Sequence, residues 1–419
     1  MYLDTISIRN FRVFRDTQVT LVHPDREWTE DLPKPKLLNI NLLLGNNGLG
    51  KSTMLKAIAL AVLGPAVSSA GLYPYHLVRE EPGRKAGDPL ADAAIGAAFI
   101  PHPQDEVAGP QRVDSRVVVA RQGDLETLRW EQDDQGAKDE RARAWDPIFS
   151  ASSAAFFVVG YGATRRVERR SQYDSATRTK QVFARAQRIQ SLFEDAYSLI
   201  PTNAWLPAYE TKNPGRFKQV VHLLNDVVSE EQYRFTGELE EGEYLFEREG
   251  LRVPFPALSD GYQAFLGWVG DLLYHVCETC PSGHKLAENH GIVMVDEIDL
   301  HLHPKWQMTI LPTLSRVLPN IQFIVTSHSP LVVGSLEWMN LLVMQPEAGQ
   351  ASCVERIEHA ISGLDADQVL LTDFFGLETT RAPEKSKKLR ELTLKARDGD
   401  TDAAIELMKQ MSRGTEGGA

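Results

Sequence analysis

Two hydrophobic periods alternate along the chain, and together they predict an α/β fold. Residues 2–22 alternate apolar with polar positions, in the manner of a strand with one covered face. Residues 37–44 and 292–295 are almost continuously apolar, which is typical of strands buried on both faces of a sheet. Further short strands are predicted at 93–100, 116–121, 125–131, 156–162, 243–248, 251–255 and 321–326. Helical periodicity predicts helices at 54–63, 182–200, 217–228, 261–276, 365–375, 382–396 and 401–411.

The stretch from residue 66 to 146 is less regular and rich in Pro, Gly and Ala. Its three strand-like runs suit an antiparallel sheet, because they are short and separated by turn residues. In the helical stretches no heptad repeat persists for three repeats. The pattern therefore predicts no long coiled-coil arms.

The composition is that of an ordinary soluble protein. With 419 residues the chain has room for one large domain or two ordinary ones. Its formal net charge of −12 gives no general attraction to nucleic acid, so any such contact needs a local basic patch. Three cysteines (Cys277, Cys280 and Cys353) argue for a reducing compartment. An acidic Asp4 where a signal peptide has a basic start, and the lack of an apolar run of about 18 residues, predict a cytoplasmic protein with no membrane contact.

A glycine-rich loop stands between the apolar run 37–44 and the helix predicted at 54–63. It has the sequence Gly45-Asn46-Asn47-Gly48-Leu49-Gly50-Lys51-Ser52, which fits the pattern G-x-x-x-x-G-K-[ST]. Such a loop turns its backbone N–H groups toward phosphates, and the next helix adds the positive end of its dipole. We expect Lys51 to reach the β- and γ-phosphates of ATP, Ser52 to bind Mg²⁺, and Thr53 to contact the nucleotide. A plain glycine-rich turn is the alternative, but the flanking strand and helix favour ATP binding.

The apolar strand at 292–295 ends in two carboxylates, Asp296 and Glu297. A central parallel strand delivers such acids at its carboxyl end, where ligands bind in α/β sheets. We expect Asp296 to lie behind the Mg²⁺ shell and Glu297 to polarise the attacking water as general base.

Two more motifs occur in a definite order with the loop and the acidic strand. Leu258-Ser259-Asp260-Gly261 opens a helix, where a serine by itself would be an ordinary N-cap. The strand at 321–326 runs into Ser327-His328-Ser329, and a lone histidine after a strand is usually structural. Their order along the chain makes coincidence a poor explanation. It also argues against AAA+ ring ATPases, which lack the L-S-x-G helix.

These four motifs and the opening run Ile8-Arg9-Asn10-Phe11-Arg12 resemble the OLD/RecF/SMC-like branch of the ABC-type ATPases. The resemblance implies an ABC-type P-loop ATPase with a mixed central sheet, a flanking antiparallel sheet and an inserted helical subdomain. It also implies a homodimer or higher oligomer that holds two ATP molecules head to tail. Ser259 and Gly261 would then meet the γ-phosphate bound by the partner protomer.

The same resemblance assigns roles to single residues. Lys51, Glu297 and His328 form the catalytic set, with His328 sensing the γ-phosphate. Asp299 lies in a D-loop-like run that crosses to the partner protomer, and Arg12 lies near the nucleotide, with an exposed strand charge as the alternative. ABC ATPases carry a Mg²⁺-sensing glutamine after the strand predicted at 156–162, but none stands here. Tyr161 or Arg165 is the candidate substitute.

We divide the chain into four parts. These are an N-terminal ATPase lobe (1–160), an inserted helical region (161–235), a C-terminal ATPase lobe (236–345) and a helical tail for partner docking (346–419). The inserted region carries a basic patch of Arg165, Arg166, Arg169, Arg170, Arg178, Lys180, Arg185 and Arg188. Such a patch fits either a DNA or RNA backbone or a solvated helix face.

Two small groups raise the question of a second metal. Cys277 and Cys280 form a C-x-x-C with histidines nearby, but a second C-x-x-C or a spaced His pair in register is missing. A frayed helix end is the favoured interpretation over zinc. His301 and His303 stand in an H-L-H-P run that the resemblance predicts without a metal.

Trp205-Leu206, the run 258–263 and the tail segment 363–368 resemble the PtuA ATPases of Septu-type anti-phage systems and related retron ATPases. That resemblance implies that the ATPase regulates a separate nuclease of the HNH type, so that the nuclease chemistry lies in another chain. A RecF-like DNA repair ATPase that clamps DNA is the alternative. An ABC transporter subunit is a third hypothesis, which the missing glutamine and the Asn-Phe-Arg opening disfavour.

Overall fold

The computed structural model of the chain forms two compact units, Met1–Leu364 and Asp365–Ala419. The residues that it describes are 1–72, 74–80, 91–105, 112–123, 125–131, 157–167, 184–228, 233–361, 363–375, 377, 379–380, 383–397 and 400–412. The four-part division expected from the sequence, with boundaries after residues 160, 235 and 345, stays a prediction.

The first unit contains strands and helices, and the second contains helices among its described residues. The strands are β1 Tyr2–Phe11, β2 Phe14–Thr20, β3 Ile40–Leu44, β4 Ala93–Ile100, β5 Val113–Gln122, β6 Leu125–Trp130, β7 Val158–Tyr161, β8 Arg166–Val167, β9 Ser198–Leu199, β10 Arg234–Glu240, β11 Glu243–Arg248, β12 Leu251–Pro254, β13 Gly291–Val295, β14 Ile321–Thr326, β15 Leu341–Glu347 and β16 Ala351–Glu355. The first unit's helices are α1 Lys51–Leu63, α2 Ala184–Gln190, α3 Thr202–Lys212, α4 Pro214–Val227, α5 Asp260–Thr279, α6 Pro304–Val317 and α7 Pro330–Gly334. The second unit's helices are α8 Ala366–Leu370, α9 Pro383–Arg397 and α10 Thr401–Ser412.

A six-stranded mixed sheet forms the centre of the first unit, in the order β16-β15-β3-β14-β13-β7. Its strands are parallel except for the antiparallel pair β15–β16 at one edge. Strands β3, β7, β13 and β14 are buried along their whole length, which is why their sequences are apolar rather than alternating. The register aligns Val295 with Val325, and Thr326 with Leu43. The carboxyl ends of β3, β14 and β13 therefore meet at one edge of the sheet.

Helix α1 lies between this sheet and a second, antiparallel sheet with the order β2-β1-β4-β5-β6. Its side chains share one hydrophobic core with Ile6, Ile95 and Val117 of the antiparallel sheet and with Ile324 of the central sheet. Every residue of α1 except Ser52 and Lys56 is buried, so the helix is apolar on all sides. Because α1 packs against both sheets, its first turn, where the glycine-rich loop ends, is held in place.

The predicted fold class is confirmed: the protein is α/β, with a mixed central sheet and a flanking antiparallel sheet. The runs 93–100, 116–121 and 125–131 form neighbouring antiparallel strands β4, β5 and β6. The longest helix among the described residues is α5, which has 20 residues. None of the helices in the described part of the chain is long and apolar enough to cross a bilayer.

The helix predicted at 182–200 is wrong in its second half, because α2 ends at Gln190. The next residue, Ser191, docks on the end of β7, where its Oγ accepts a hydrogen bond of 3.1 Å from Gly162 N. A Cβ on Gly162 would lie 2.2 Å from the Ser191 carbonyl oxygen, so only glycine allows this approach. The chain then turns into β9, which pairs with β8 in parallel. The helix predicted at 365–375 is also shorter, and the elements without a predicted counterpart are α3, α6, α7, β8, β9, β10, β15 and β16.

Candidate nucleotide site

The glycine-rich loop connects β3 to α1, as its sequence predicts. Gly50 has φ 99°, a conformation that only glycine adopts without strain. A Cβ at this position would lie 2.4 Å from Cγ2 of Val13, which belongs to the turn between β1 and β2. The turn that carries Arg12 therefore packs directly against the loop.

Lys51, the first residue of α1, is 7% exposed. Its Nζ donates hydrogen bonds to the carbonyl oxygens of Gly45 at 2.8 Å and of Asn46 at 3.2 Å, back across the loop. Burial lowers the pKa of Lys51, while the acids that follow β13 raise it. The ammonium group is therefore close to the acidic end of β13, which is separated from it by some 240 positions in the sequence.

Asp296 is 8% exposed, and its carboxylate is held by Thr326 at the end of the adjacent strand β14. The Thr326 Oγ1 donates a hydrogen bond of 2.6 Å to Oδ1 of Asp296. Oγ1 of Thr326 also accepts a hydrogen bond of 2.7 Å from the backbone N–H of Glu297. One hydroxyl thus orients both acids, as partners behind metal-binding carboxylates commonly do. Thr326 is not among the site residues predicted from the sequence, although a polar residue at the end of an apolar strand is a usable signal.

Glu297 has φ 49°, which is the left-handed region and is uncommon for a residue with a side chain. Such a conformation costs on the order of 1–3 kcal/mol and persists only where surrounding contacts hold it. Its backbone N–H is bound by Thr326, and the next N–H, that of Ile298, donates to the Thr326 carbonyl at 2.9 Å. The strained backbone sets the direction in which the Glu297 carboxylate leaves the sheet.

His328 follows β14 and is exposed. Partial burial of the ring and then the nearby charge of Lys51 lower the pKa of His328, while Asp299, Glu297 and Asp296 raise it. Lys51, the three acids and His328 all follow the carboxyl ends of β3, β13 and β14, which meet at one edge of the sheet, and their charges act on one another. The structure therefore brings together five residues that the sequence predicted as one site.

The donor set fits a nucleotide with Mg²⁺. Ser52 is exposed at the start of α1, and hydroxyl and carboxylate oxygens are the ligands that Mg²⁺ prefers. Oδ1 of Asp299 is buried and has no hydrogen-bond partner among the described residues. The loop residues Asn46, Asn47 and Gly48 are exposed.

The predicted signature motif lies at the start of α5. Ser259 is the N-cap residue, yet its side chain makes no capping hydrogen bond, and the residue is exposed. Gly261 lies against the run that follows Asp299, because a Cβ there would be 2.5 Å from the carbonyl oxygen of His301. The first turn of α5 and the D-loop-like run are thus neighbours.

Arg12 lies in the turn between β1 and β2 and is half-buried with φ 49°. Its backbone N–H donates to the Leu77 carbonyl at 2.8 Å and its Nη2 to the Tyr75 carbonyl at 3.4 Å. Burial first, and then the charge of Arg12, lower the pKa of Lys56 on α1. Arg12 is therefore a turn residue close to α1 rather than an exposed strand charge, and its role beside the nucleotide stays a prediction.

The two candidates for the missing glutamine differ in what they contact. The Tyr161 hydroxyl is buried and donates to Asp271 on α5 at 2.8 Å, so Tyr161 as a metal contact is wrong. Arg165 is 7% exposed and donates to the carbonyl oxygens of Asp296 and Glu297. The Arg165 side chain therefore binds the main-chain carbonyl groups of the two acids and not their carboxylates.

This burial also removes Arg165 from the predicted basic patch. Arg166 is exposed, while Arg185 and Arg188 are half-buried. Four members of the patch lie outside the described residues: Arg169, Arg170, Arg178 and Lys180. Binding of DNA or RNA by the remaining residues stays a prediction.

The cysteine pair lies at the end of α5, which is capped rather than frayed. The Arg216 guanidinium donates to the carbonyl oxygens of Cys277 at 2.6 Å, Cys280 at 2.7 Å and Pro281 at 3.0 Å. Burial raises the pKa of the Cys277 thiol to about 12. His303 is the N-cap of α6 and accepts from the backbone N–H two residues later. Within the described residues, no three or more His, Cys, Asp or Glu side chains are grouped to hold a metal ion.

This fold, with a phosphate-binding loop and an acidic strand end at one sheet edge, defines a P-loop ATPase. The chain belongs to the family described as "AAA domain, putative AbiEii toxin, Type IV TA system", whose model matches residues 40–334. The assignment to the ABC-type subdivision, which depends on the L-S-x-G helix, stays a prediction.

Two curated relatives and one solved structure illustrate the similarity. The Septu protein PtuA of Bacillus mycoides (strain KBAB4) is 24% identical over 382 residues, which cover 90% of this chain and 45% of that protein. The Retron Vc95 probable ATPase of Vibrio cholerae serotype O1 biovar El Tor is 43% identical over 86 residues, or 20% of this chain and 17% of that protein. The chain thus spans less than half the length of either relative. The SMC head domain from Thermotoga maritima aligns with 86% of this chain and 100% of its own, with 16% identity and a TM-score of 0.47. The predicted relationship to PtuA-type ATPases is confirmed.

Proposed function

We propose that the chain binds ATP with Mg²⁺ and hydrolyses it between two head-to-tail protomers, and that its nucleotide state regulates a separate nuclease in an anti-phage complex. One observation supports the hydrolytic part: Lys51, Asp296, Glu297, Asp299 and His328 all follow the carboxyl ends of β3, β13 and β14, which meet at one sheet edge, and the acids act on the charge of both Lys51 and His328. This juxtaposition supplies the cation, the acids and the hydrogen-bond donor that phosphoryl transfer requires.

Each residue has a distinct task in this proposal. Mg²⁺, when bound, neutralises the charge that develops on the transferred phosphoryl group. Ser52 and Asp296 hold that ion, while Lys51 binds the β- and γ-phosphates together with the loop N–H groups of residues 45–53. Glu297 accepts hydrogen bonding from the attacking water and draws off its proton, and His328 hydrogen-bonds the γ-phosphate.

The head-to-tail dimer is supported by the state of Ser259. An N-cap serine normally satisfies an N–H of its own helix, but the Ser259 side chain does not and is solvent-exposed. Together with the positive end of the α5 dipole, it offers an anion site on the protein surface. A γ-phosphate held by the second protomer fits this site, with Gly261 and Asp299 at the same interface.

The nuclease partner is proposed from the relatives rather than from the site. The chain is similar over 90% of its length to a Septu protein, and over a shorter stretch to a retron ATPase. The partner expected from the sequence resemblance is of the HNH type. Among the described residues, the site at the sheet edge is equipped for phosphoryl transfer from ATP, so nucleic-acid cleavage is assigned to that other chain.

The test is a native mass spectrum of the tagged protein purified from its own host, with and without ATP. A second polypeptide in fixed ratio, carrying a nuclease motif, supports the regulatory proposal. A homodimer that forms only with ATP, has no partner and hydrolyses ATP faster with DNA would instead favour a DNA clamp. Hydrolysis that needs no dimer would overturn the head-to-tail arrangement.

A further inference from the structure

Arg165 follows β7, the strand next to β13, and its side chain reaches the acid pair at the end of β13. Three residues separate it from the end of β7, and β7 pairs in parallel with β13. Its backbone has φ 31°, and its side chain is 7% exposed. A buried arginine must place its donors on acceptors, because an unpaired buried charge is costly.

The acceptors are the two carbonyl oxygens of the acid pair. Nη1 donates to the carbonyl oxygen of Asp296, and Nη2 donates to that of Glu297 at 2.8 Å. The guanidinium thus spans two successive peptide groups in a fork geometry, which an ammonium group cannot reproduce.

The remaining polar backbone groups of this segment are also paired. The N–H of Asp296 donates to the Tyr161 carbonyl at 2.8 Å, and the N–H of Glu297 donates to the Thr326 hydroxyl. Neither of those two hydrogen bonds holds the backbone carbonyl of Glu297, the residue in the left-handed conformation. Apart from a 3.0 Å turn bond from the N–H of Leu300, the carbonyl of Glu297 depends on Arg165.

We propose that Arg165 is the positioning residue that locks Glu297 in its left-handed backbone conformation and so aims the general base at the attacking water. The inference rests on the proposed hydrolytic role of Glu297. Arg165 acts through the main chain and leaves nucleotide binding to the loop at residues 45–52. It therefore takes the place of the missing glutamine by fixing the base rather than by contacting the metal.

The electrostatics agree with a permanently charged clamp. Burial lowers the pKa of Arg165 to about 10, while the charges of Asp296, Asp299 and Glu297 raise it. The guanidinium accordingly stays protonated throughout the neutral range.

The experiment measures kcat, KM for ATP and binding of a fluorescent ATP analogue for Arg165→Ala and Arg165→Lys. We expect Arg165→Ala to lower kcat about 10- to 100-fold with KM and analogue binding changed less than about threefold, because a misplaced base costs rate rather than affinity. Arg165→Lys should retain an intermediate rate, since the ammonium keeps the positive charge but lacks the planar fork that matches two successive carbonyl groups. Millimolar methylguanidinium should restore part of the kcat of Arg165→Ala. Equal loss of affinity and rate, or a normal kcat in folded Arg165→Ala, would overturn the proposal.

Arg216→Ala is the matched control. Arg216 also donates to main-chain carbonyls through both terminal nitrogens, but at the end of α5 about 27 Å along the helix from Ser259. It should lower the melting temperature without changing kcat. If Arg165→Ala does not fold, kcat is measured for Arg165→Lys instead. Its deficit relative to the unchanged protein should be the same at each pH tested.

A double variant separates this proposal from the function on which it rests. If Arg165 works through Glu297, adding Arg165→Ala to Glu297→Gln should slow single-turnover hydrolysis no further. If the two substitutions instead reduce the rate by factors that multiply, Arg165 does not act through Glu297, although Glu297 could still be the base. A normal rate for Glu297→Gln alone would instead remove the general-base assignment itself.

Discussion

The hydroxyl of Tyr161 donates a hydrogen bond of 2.8 Å to Oδ2 of Asp271, and both side chains are buried. Tyr161 ends the strand beside the acid-bearing strand β13, and Asp271 lies in the middle of helix α5. Asp271 also accepts from the backbone N–H of Ile200 at 2.8 Å and pairs with His275 at 3.3 Å. This contact ties the catalytic sheet to the helix that begins at Ser259.

We expect Tyr161→Phe to lower the free energy of unfolding by about 1–3 kcal/mol, because a buried carboxylate loses one donor. Urea unfolding followed by circular dichroism measures the change. Tyr209→Phe is the matched control, since that hydroxyl also donates to a carboxylate, Glu278, but at an exposed site. Its loss should be smaller, below about 1 kcal/mol. Equal losses for the two variants would contradict the importance given to burial.

The charge of Asp271 makes stability depend on pH. Burial alone would raise the pKa of Asp271, but His275 and the hydrogen bonds from Ile200 and Tyr161 hold it below the ordinary value of 3.8. A depressed carboxyl pKa contributes stability above the unfolded-state value, and this contribution is lost as the pH falls through the folded-state value. Thermal melts from pH 7 down to pH 2 should therefore show a loss below about pH 4 that is reduced in Asp271→Asn. A parallel pH profile for the two proteins would disprove this assignment.

We expect Glu297→Gln to slow ATP hydrolysis about 10²- to 10⁴-fold while leaving ATP binding intact, because the amide cannot take the proton of water. Phosphate release and binding of a fluorescent ATP analogue measure the two effects separately. Lys51→Ala is the contrasting variant and should weaken analogue binding. If Glu297→Gln hydrolyses ATP at the normal rate, another residue is the base.

Thr326→Val should lower kcat about 10- to 100-fold with little change in volume, because the hydroxyl that orients Asp296 and Glu297 is lost. Thr326→Ser keeps that hydroxyl and should remain close to the normal rate. Steady-state hydrolysis at saturating Mg²⁺ measures both variants. A Ser variant as slow as the Val variant would indicate that the methyl packing, and not the hydroxyl, is the important feature.

Ser259→Arg should prevent the ATP-dependent dimer without unfolding the chain, because Ser259 is exposed and caps no N–H group. Sedimentation velocity in the Glu297→Gln background, with and without ATP, gives the oligomeric state. Glu249→Arg, at an exposed turn after β11, introduces the same side chain as a control and should still dimerise. A dimer that survives in Ser259→Arg would place the interface elsewhere.

The glycine-rich loop, the acidic strand end and the α/β class could all be predicted from the amino-acid sequence. These features are local: an apolar run, a glycine series and a charged terminus each lie within a dozen consecutive residues. The antiparallel strands β4, β5 and β6 were predictable for the same reason. The second half of the helix predicted at 182–200 failed because the approach of Ser191 to Gly162, a tertiary contact, overrides local periodicity.

The polar residues that hold the acid pair could be identified only from the three-dimensional fold. Thr326 and Arg165 bind Asp296 and Glu297 across sequence separations of 29 to 132 residues, and strand order alone makes those contacts possible. The two candidates for the missing glutamine looked equivalent in sequence. Burial directs one toward Asp271 and the other toward the main chain of the acid pair, because a buried donor must end on the acceptor that the packing supplies.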